Sequence, residues 1–213
     1  MGDFDLVSKL YSIPGIVLGL TLHEYCHALA AYKLGDKTAK TEGRITFNPL
    51  KHIDPLGFIF ILFAGFGWAK PVSFHPENLS HPRRDKALIA AAGPLSNLAL
   101  GLLSMLFIKF ATPLLYKMNI PFNIVYVVSY VILDMALINL GLFIFNMLPL
   151  PPLDGSHIFL AGLNLKPETE NKIYRYGTIV LFAIIILENV LGYDIIPIGK
   201  FTGWVFNLFF PGQ

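Results

Sequence analysis

The chain has 213 residues, 54% of them hydrophobic and 14% charged, with a mean hydropathy of +0.60 and a net charge of +2 at pH 7. Soluble domains run nearer roughly 45–50% apolar and 25% charged, so the composition excludes an ordinary water-soluble domain and indicates an integral membrane protein. The near-neutral balance gives no basis for a nucleic-acid partner, and a single cysteine, Cys26, excludes an internal disulfide.

The first apolar segment covers about 13–34. Residues before it carry Asp3, Asp5 and only Lys9 as a base, with no small-x-small cleavage site, so it is expected to stay as a membrane helix rather than leave as a signal peptide. Inside it stands His23-Glu24-Tyr25-Cys26-His27. Residues four apart on a helix share a face, about 6 Å apart along the axis, so both imidazoles point one way and can hold one Zn2+. Glu24, next to the first imidazole, is placed to take a proton from a water that the metal activates. In a soluble helix this pattern is often a solvated face, but within a membrane each ionisable group costs several kcal/mol and needs a partner or a task. Cys26 turns away from the face of the two histidines.

Residues 35–86 contain eight Lys or Arg against five Asp or Glu. By the positive-inside rule they face the cytoplasm, which puts the N-terminus and 113–121 outside and 149–176 inside. Gly43-Arg44-Ile45-Thr46-Phe47-Asn48 alternates with period two and is rich in β-branched and aromatic residues, which predicts a strand. The apolar run 56–67 is too short to span and is expected as a strand or a membrane-dipping hairpin. Together these predict a small β-sheet against the helices on the cytoplasmic side, since open edges cannot face lipid. His52, His75 and His81 read as solvated.

Further spans are expected at 87–115, 122–148 and 177–191, the last extended back through Ile173, with a tilted or half-inserted segment at 195–210. Gly93-Pro94-Leu95-Ser96-Asn97 opens the second span, and Asn97 reads equally as part of a packing notch or of the site. The third span runs into Pro149-Leu150-Pro151-Pro152-Leu153-Asp154-Gly155, which cannot continue a helix and so lines a cavity. Asp154 there is either an ordinary turn residue or the carboxylate that completes a two-histidine zinc site. Asp134 is expected to pair within the bundle, Lys109 to snorkel, and His157 to pack near Asp154.

In combination, His23-Glu24-x-x-His27, Gly93-Pro94-x-x-Asn97 and Asn146-x-x-Pro149-x-x-x-Leu153-Asp154-Gly155 resemble the site-2 protease family of intramembrane zinc metalloproteases. Gly67-Trp68-Ala69-Lys70-Pro71-Val72 is similar to the family segment that follows its embedded strands. The resemblance runs over about 13–158 and implies zinc ligands His23, His27 and Asp154, with Glu24 as catalytic base. It further favours a role for Asn97 as donor to the oxyanion or substrate backbone. A helical substrate must unwind before attack, and its exposed backbone is expected to pair with the edge strand 43–48 by β-strand addition. The expected organisation is one membrane-embedded metalloprotease domain over 1–213, a polytopic helix bundle in a minimal form of the family without an inserted regulatory domain. Its expected partners are the lipid bilayer and single-span membrane proteins or peptides, in a prokaryotic cell membrane. The rival classes are a membrane metal transporter and a silent substrate-binding scaffold.

Overall fold

The computed structural model describes residues 6–65, 67–163, 165–192 and 195–212. Phe66, in the expected embedded segment, and residues 1–5, in the expected N-terminal flank, lie outside them. The described chain is mainly helical, in the order α1 (Leu6–Lys33), α2 (Thr38–Thr41), α3 (Pro55–Ala64), α4 (Pro82–Lys117), α5 (Phe122–Asn146), α6 (Asp154–Ala161), α7 (Pro167–Leu191) and α8 (Ile198–Phe209). Of these, α4 and α5 are long and apolar enough to cross a membrane. Their outward faces carry exposed Leu103, Phe110, Ile124 and Tyr126, the apolar surface that lipid rather than water would cover.

The helices α1, α4 and α5 pack against one another, with α6 set against α4 and α8 against α5. Their core is apolar: Met105 of α4, Ala136 and Leu140 of α5 and Val205 of α8 are buried together. A second cluster joins Leu153, just ahead of α6, to Leu181 and Ile185 of α7. Asp134 pairs as expected inside the bundle, accepting from Ser12 Oγ at 2.9 Å.

No sheet is formed among the described residues; the single β-contact is an isolated antiparallel bridge between Ile53 and Ala69. The expected strand over Gly43, Arg44, Ile45, Thr46, Phe47 and Asn48 is therefore wrong. Gly43 turns the chain at φ +67°, and Asn48 caps a 3-10 turn, Pro49–Lys51, by accepting from Leu50 N at 3.1 Å. The Arg44 guanidinium takes the carbonyls of Lys51 at 2.7 Å and Lys70 at 2.5 Å. These local bonds replace a ladder for which the described residues offer no neighbouring strand.

The apolar run after it is a helix, not the expected strand or hairpin. Asp54 accepts from Gly57 N at 2.9 Å, Pro55 occupies the first turn, and Gly65 ends the helix in the left-handed region at φ +75°. That is a start and a stop signal for a helix, and the two together outweigh the strand-like composition between them. After α3 the chain folds back on it, the Trp68 carbonyl lying where a Cβ on Gly57 would have to be.

Candidate metal centre

His23 and His27 lie one turn apart on α1, their rings edge to face with centroids 4.5 Å apart. Gly93 on α4 makes room for them: a Cβ there would overlap His27 and stand 2.8 Å from His23 Cε1. Asp154 arrives from the far end of α5, where the proline run breaks the helix and α6 restarts. Gly155 permits that restart, because a Cβ would strike the carbonyls of Met147 and Leu148.

Asp154 Oδ2 stands 3.1 Å from His23 Nε2 and 3.3 Å from His27 Nε2, and the two Nε2 atoms are 3.0 Å apart. The opposite side of each ring fixes its tautomer. His27 Nδ1 lies 2.7 Å from the Ile89 carbonyl, which can only accept, so the hydrogen is on Nδ1. His23 Nδ1 lies 2.7 Å from Asn97 Oδ1, again an acceptor. Both Nε2 atoms of the neutral rings therefore carry lone pairs, aimed at each other and at a carboxylate. Three such atoms repel unless a proton or a metal ion lies among them. Zinc held tetrahedrally at about 2.0–2.1 Å has ligand-to-ligand edges of about 3.3 Å, close to the triangle formed here, so the residues fit the metal.

Glu24 is buried beside His23, and its Oε2 accepts from Val72 N at 3.1 Å, with Arg44 Nη2 at 3.9 Å. Arg44 also borders a cavity of about 610 Å³ with Glu42, Asn48, Leu50, Lys51 and Lys70. Of the segment expected to receive substrate, Arg44 thus reaches the site, and Phe47 stacks on Tyr25 at 4.3 Å. Asn97, open between a packing notch and the site in sequence, touches both: its Oδ1 meets His23 and its amide group lies in the helix interface. Its Nδ2 donates to Gly19 O at 3.1 Å and to Asn139 Oδ1 at 2.9 Å, which uses both amide hydrogens and leaves none for an oxyanion. Cys26 is not among the converging donors, and His157 pairs through Nδ1 with the Tyr174 hydroxyl, tying α6 to α7. The C-terminal helices carried no recognisable motif, yet α7 backs the proline run: a Cβ on Gly177 would lie 2.6 Å from Pro151 Cδ.

The arrangement can hold a metal ion beside a buried carboxylate, on an apolar helical scaffold. The chain belongs to Peptidase family M50, whose profile matches residues 11–187; it is the site-2 protease family that the motifs resemble. It is 36% identical over 197 residues to YwhC of Bacillus subtilis, a candidate zinc metalloprotease by name, covering 91% of this chain and 84% of that one. Rip2 of Mycobacterium tuberculosis, named in the same way, is 31% identical over 207 residues, covering 92% of this chain and 72% of that one. MJ0611 of Methanocaldococcus jannaschii, also so named, is 32% identical over 158 residues, covering 73% of this chain and 72% of that one. No solved structure matches the chain significantly.

Proposed function

We propose that this zinc peptidase cuts peptide bonds within or beside the transmembrane segments of single-span membrane proteins, with His23, His27 and Asp154 holding the metal. The observation that carries the reading is the meeting of three lone-pair donors from two elements more than a hundred residues apart in sequence. Bound zinc supplies an acidified water and a polarised scissile carbonyl. Glu24 accepts the water's proton and passes it to the leaving amine, while Val72 N holds one of its oxygens in place. Asn97 serves by orienting His23.

A helical substrate hides its carbonyls in i to i−4 bonds, so a stretch of it must unwind before it reaches the centre. The Arg44 cavity offers the unwound chain an approach to Glu24 from the basic 35–86 side, which the charge balance assigns to the cytoplasm. Pairing there runs through exposed backbone and side chains of 43–48, not through a strand edge. The reading takes 1–213 as one polytopic, membrane-embedded domain of a prokaryotic cell membrane. The experiment is cleavage of a single-span peptide by purified protein in detergent, with and without phenanthroline. Chelator-sensitive cleavage inside the apolar stretch is expected; cleavage that persists after zinc is stripped would overturn the reading.

A further inference from the structure

Two asparagines, Asn97 of α4 and Asn139 of α5, are wholly shielded from solvent in the midst of apolar helices. Asn97 stands out in the sequence beside Gly93 and Pro94; Asn139 does not, and it has no part in the proposed hydrolysis. A buried primary amide in such a place must satisfy two donors and an acceptor or cost several kcal/mol. Asn139 satisfies all of them, and in one order. Its Nδ2 donates to Met135 O at 2.8 Å and Gly15 O at 3.2 Å, and its Oδ1 accepts from Asn97 Nδ2 at 2.9 Å.

That order is irreversible. Met135 O, Gly15 O and Gly19 O are main-chain carbonyls that can only accept, so neither amide can flip without setting oxygen against oxygen. With Asn139 locked, Asn97 must turn its Nδ2 toward Asn139 and Gly19 and its Oδ1 toward His23 Nδ1. His23 must then carry its hydrogen on Nδ1 and keep the Nε2 lone pair for the centre. The chain of bonds starts at two carbonyls, one on α1 and one on α5, and ends on an imidazole. Close helix approach is built in as well: a Cβ on Gly19 would lie 3.1 Å from Asn139 Cγ and overlap its oxygen.

We propose that Asn139 is a positioning residue for the metal centre, acting through Asn97 to fix the tautomer and tilt of His23. This rests on the assignment of His23 as a zinc ligand. Partners that orient a ligating histidine typically account for about 10–100-fold in metal affinity, and here the orienting group lies one residue further out, across a helix interface.

The test is zinc affinity of the full chain in detergent, by competition with a chromophoric chelator, alongside a thermal melt. Asn139→Leu keeps the branched shape but removes the donors and the acceptor, and should weaken zinc binding about tenfold or more. Asn139→Ser is the second variant, for use if the first does not fold. Leu140→Ala, the neighbouring buried residue of the same helix, is the packing control: it should lower the melting temperature and leave zinc affinity within about threefold. Unchanged affinity in a folded Asn139 variant, or an equal loss in Leu140→Ala, would overturn the proposal. His23→Ala run in parallel separates the two levels: wild-type affinity there would overturn the ligand assignment itself, whatever Asn139 does.

Discussion

Glu24 has a neighbour on each side of its function. Val72 N fixes one carboxylate oxygen, and the histidine before it in sequence faces the metal position. Glu24→Gln retains an oxygen to accept from Val72 N and so retains the local fold, but it cannot take up a proton at neutral pH. Cleavage should fall by about 10²–10⁴-fold or more with zinc content unchanged, as metal analysis and peptide assay on the same sample would show. Asp36 makes a different point at the same scale. It is buried between α1 and α2, where burial raises its pKa but the bonds from Thr38 Oγ1, the amides of His75 and Thr38 and the Asn78 amide group outweigh that and hold it at about 2. A carboxyl depressed in the folded state stabilises above its unfolded value, about 3.9, and loses that contribution as pH falls toward 2. Protease resistance of 35–79 should thus hold from pH 7 to about 5 and drop below about 4, and Asp36→Asn should show the loss already at pH 7. The spacing of His23, Glu24 and His27 was legible because one turn of helix dictates it; the direction of the Asn97 amide was not, because it depends on Asn139 across a helix interface.

Elements were legible to the extent that their period was. Four long apolar runs became α1, α4, α5 and α7, of which α5 matches expectation closely while α1, α4 and α7 start well ahead of it, and the extension of the fourth through Ile173 is part of α7. Alternation over 43–48 misled, since six residues without a partner strand have nothing to pair with and Arg44 draws the loop onto two carbonyls instead. In the segment that followed, Asp54-Pro55 and Gly65 outweighed a Phe- and Ile-rich composition. Helix α7 carries no motif in sequence but packs in three dimensions behind Pro151 and Leu153, a place from which it can set where Asp154 emerges. Gly177→Leu should push Pro151 away, cost about 1–3 kcal/mol in stability through overpacking, and reduce cleavage far more than a comparable substitution at exposed Ile179. Melting temperature and cleavage rate, measured together on both variants, check this; equal rates would deny α7 that role.

At the scale of the whole molecule, three short motifs on α1, α4 and the end of α5 are separately weak and jointly specific, because the bundle brings them to one point. Helix α1 supplies two imidazoles, α4 a glycine gap and two acceptors that set their tautomers, and the break after α5 a carboxylate. Apolar outer faces on α4 and α5 surround this polar cluster with a shell that lipid would cover, and a divalent cation among the three donors would satisfy all of them. The most direct test is the zinc content of purified protein and of Asp154→Ala. The account predicts about one tightly held zinc per wild-type chain and at least a tenfold weaker hold in the variant; an Asp154→Ala protein that keeps its zinc as firmly as wild type would contradict it.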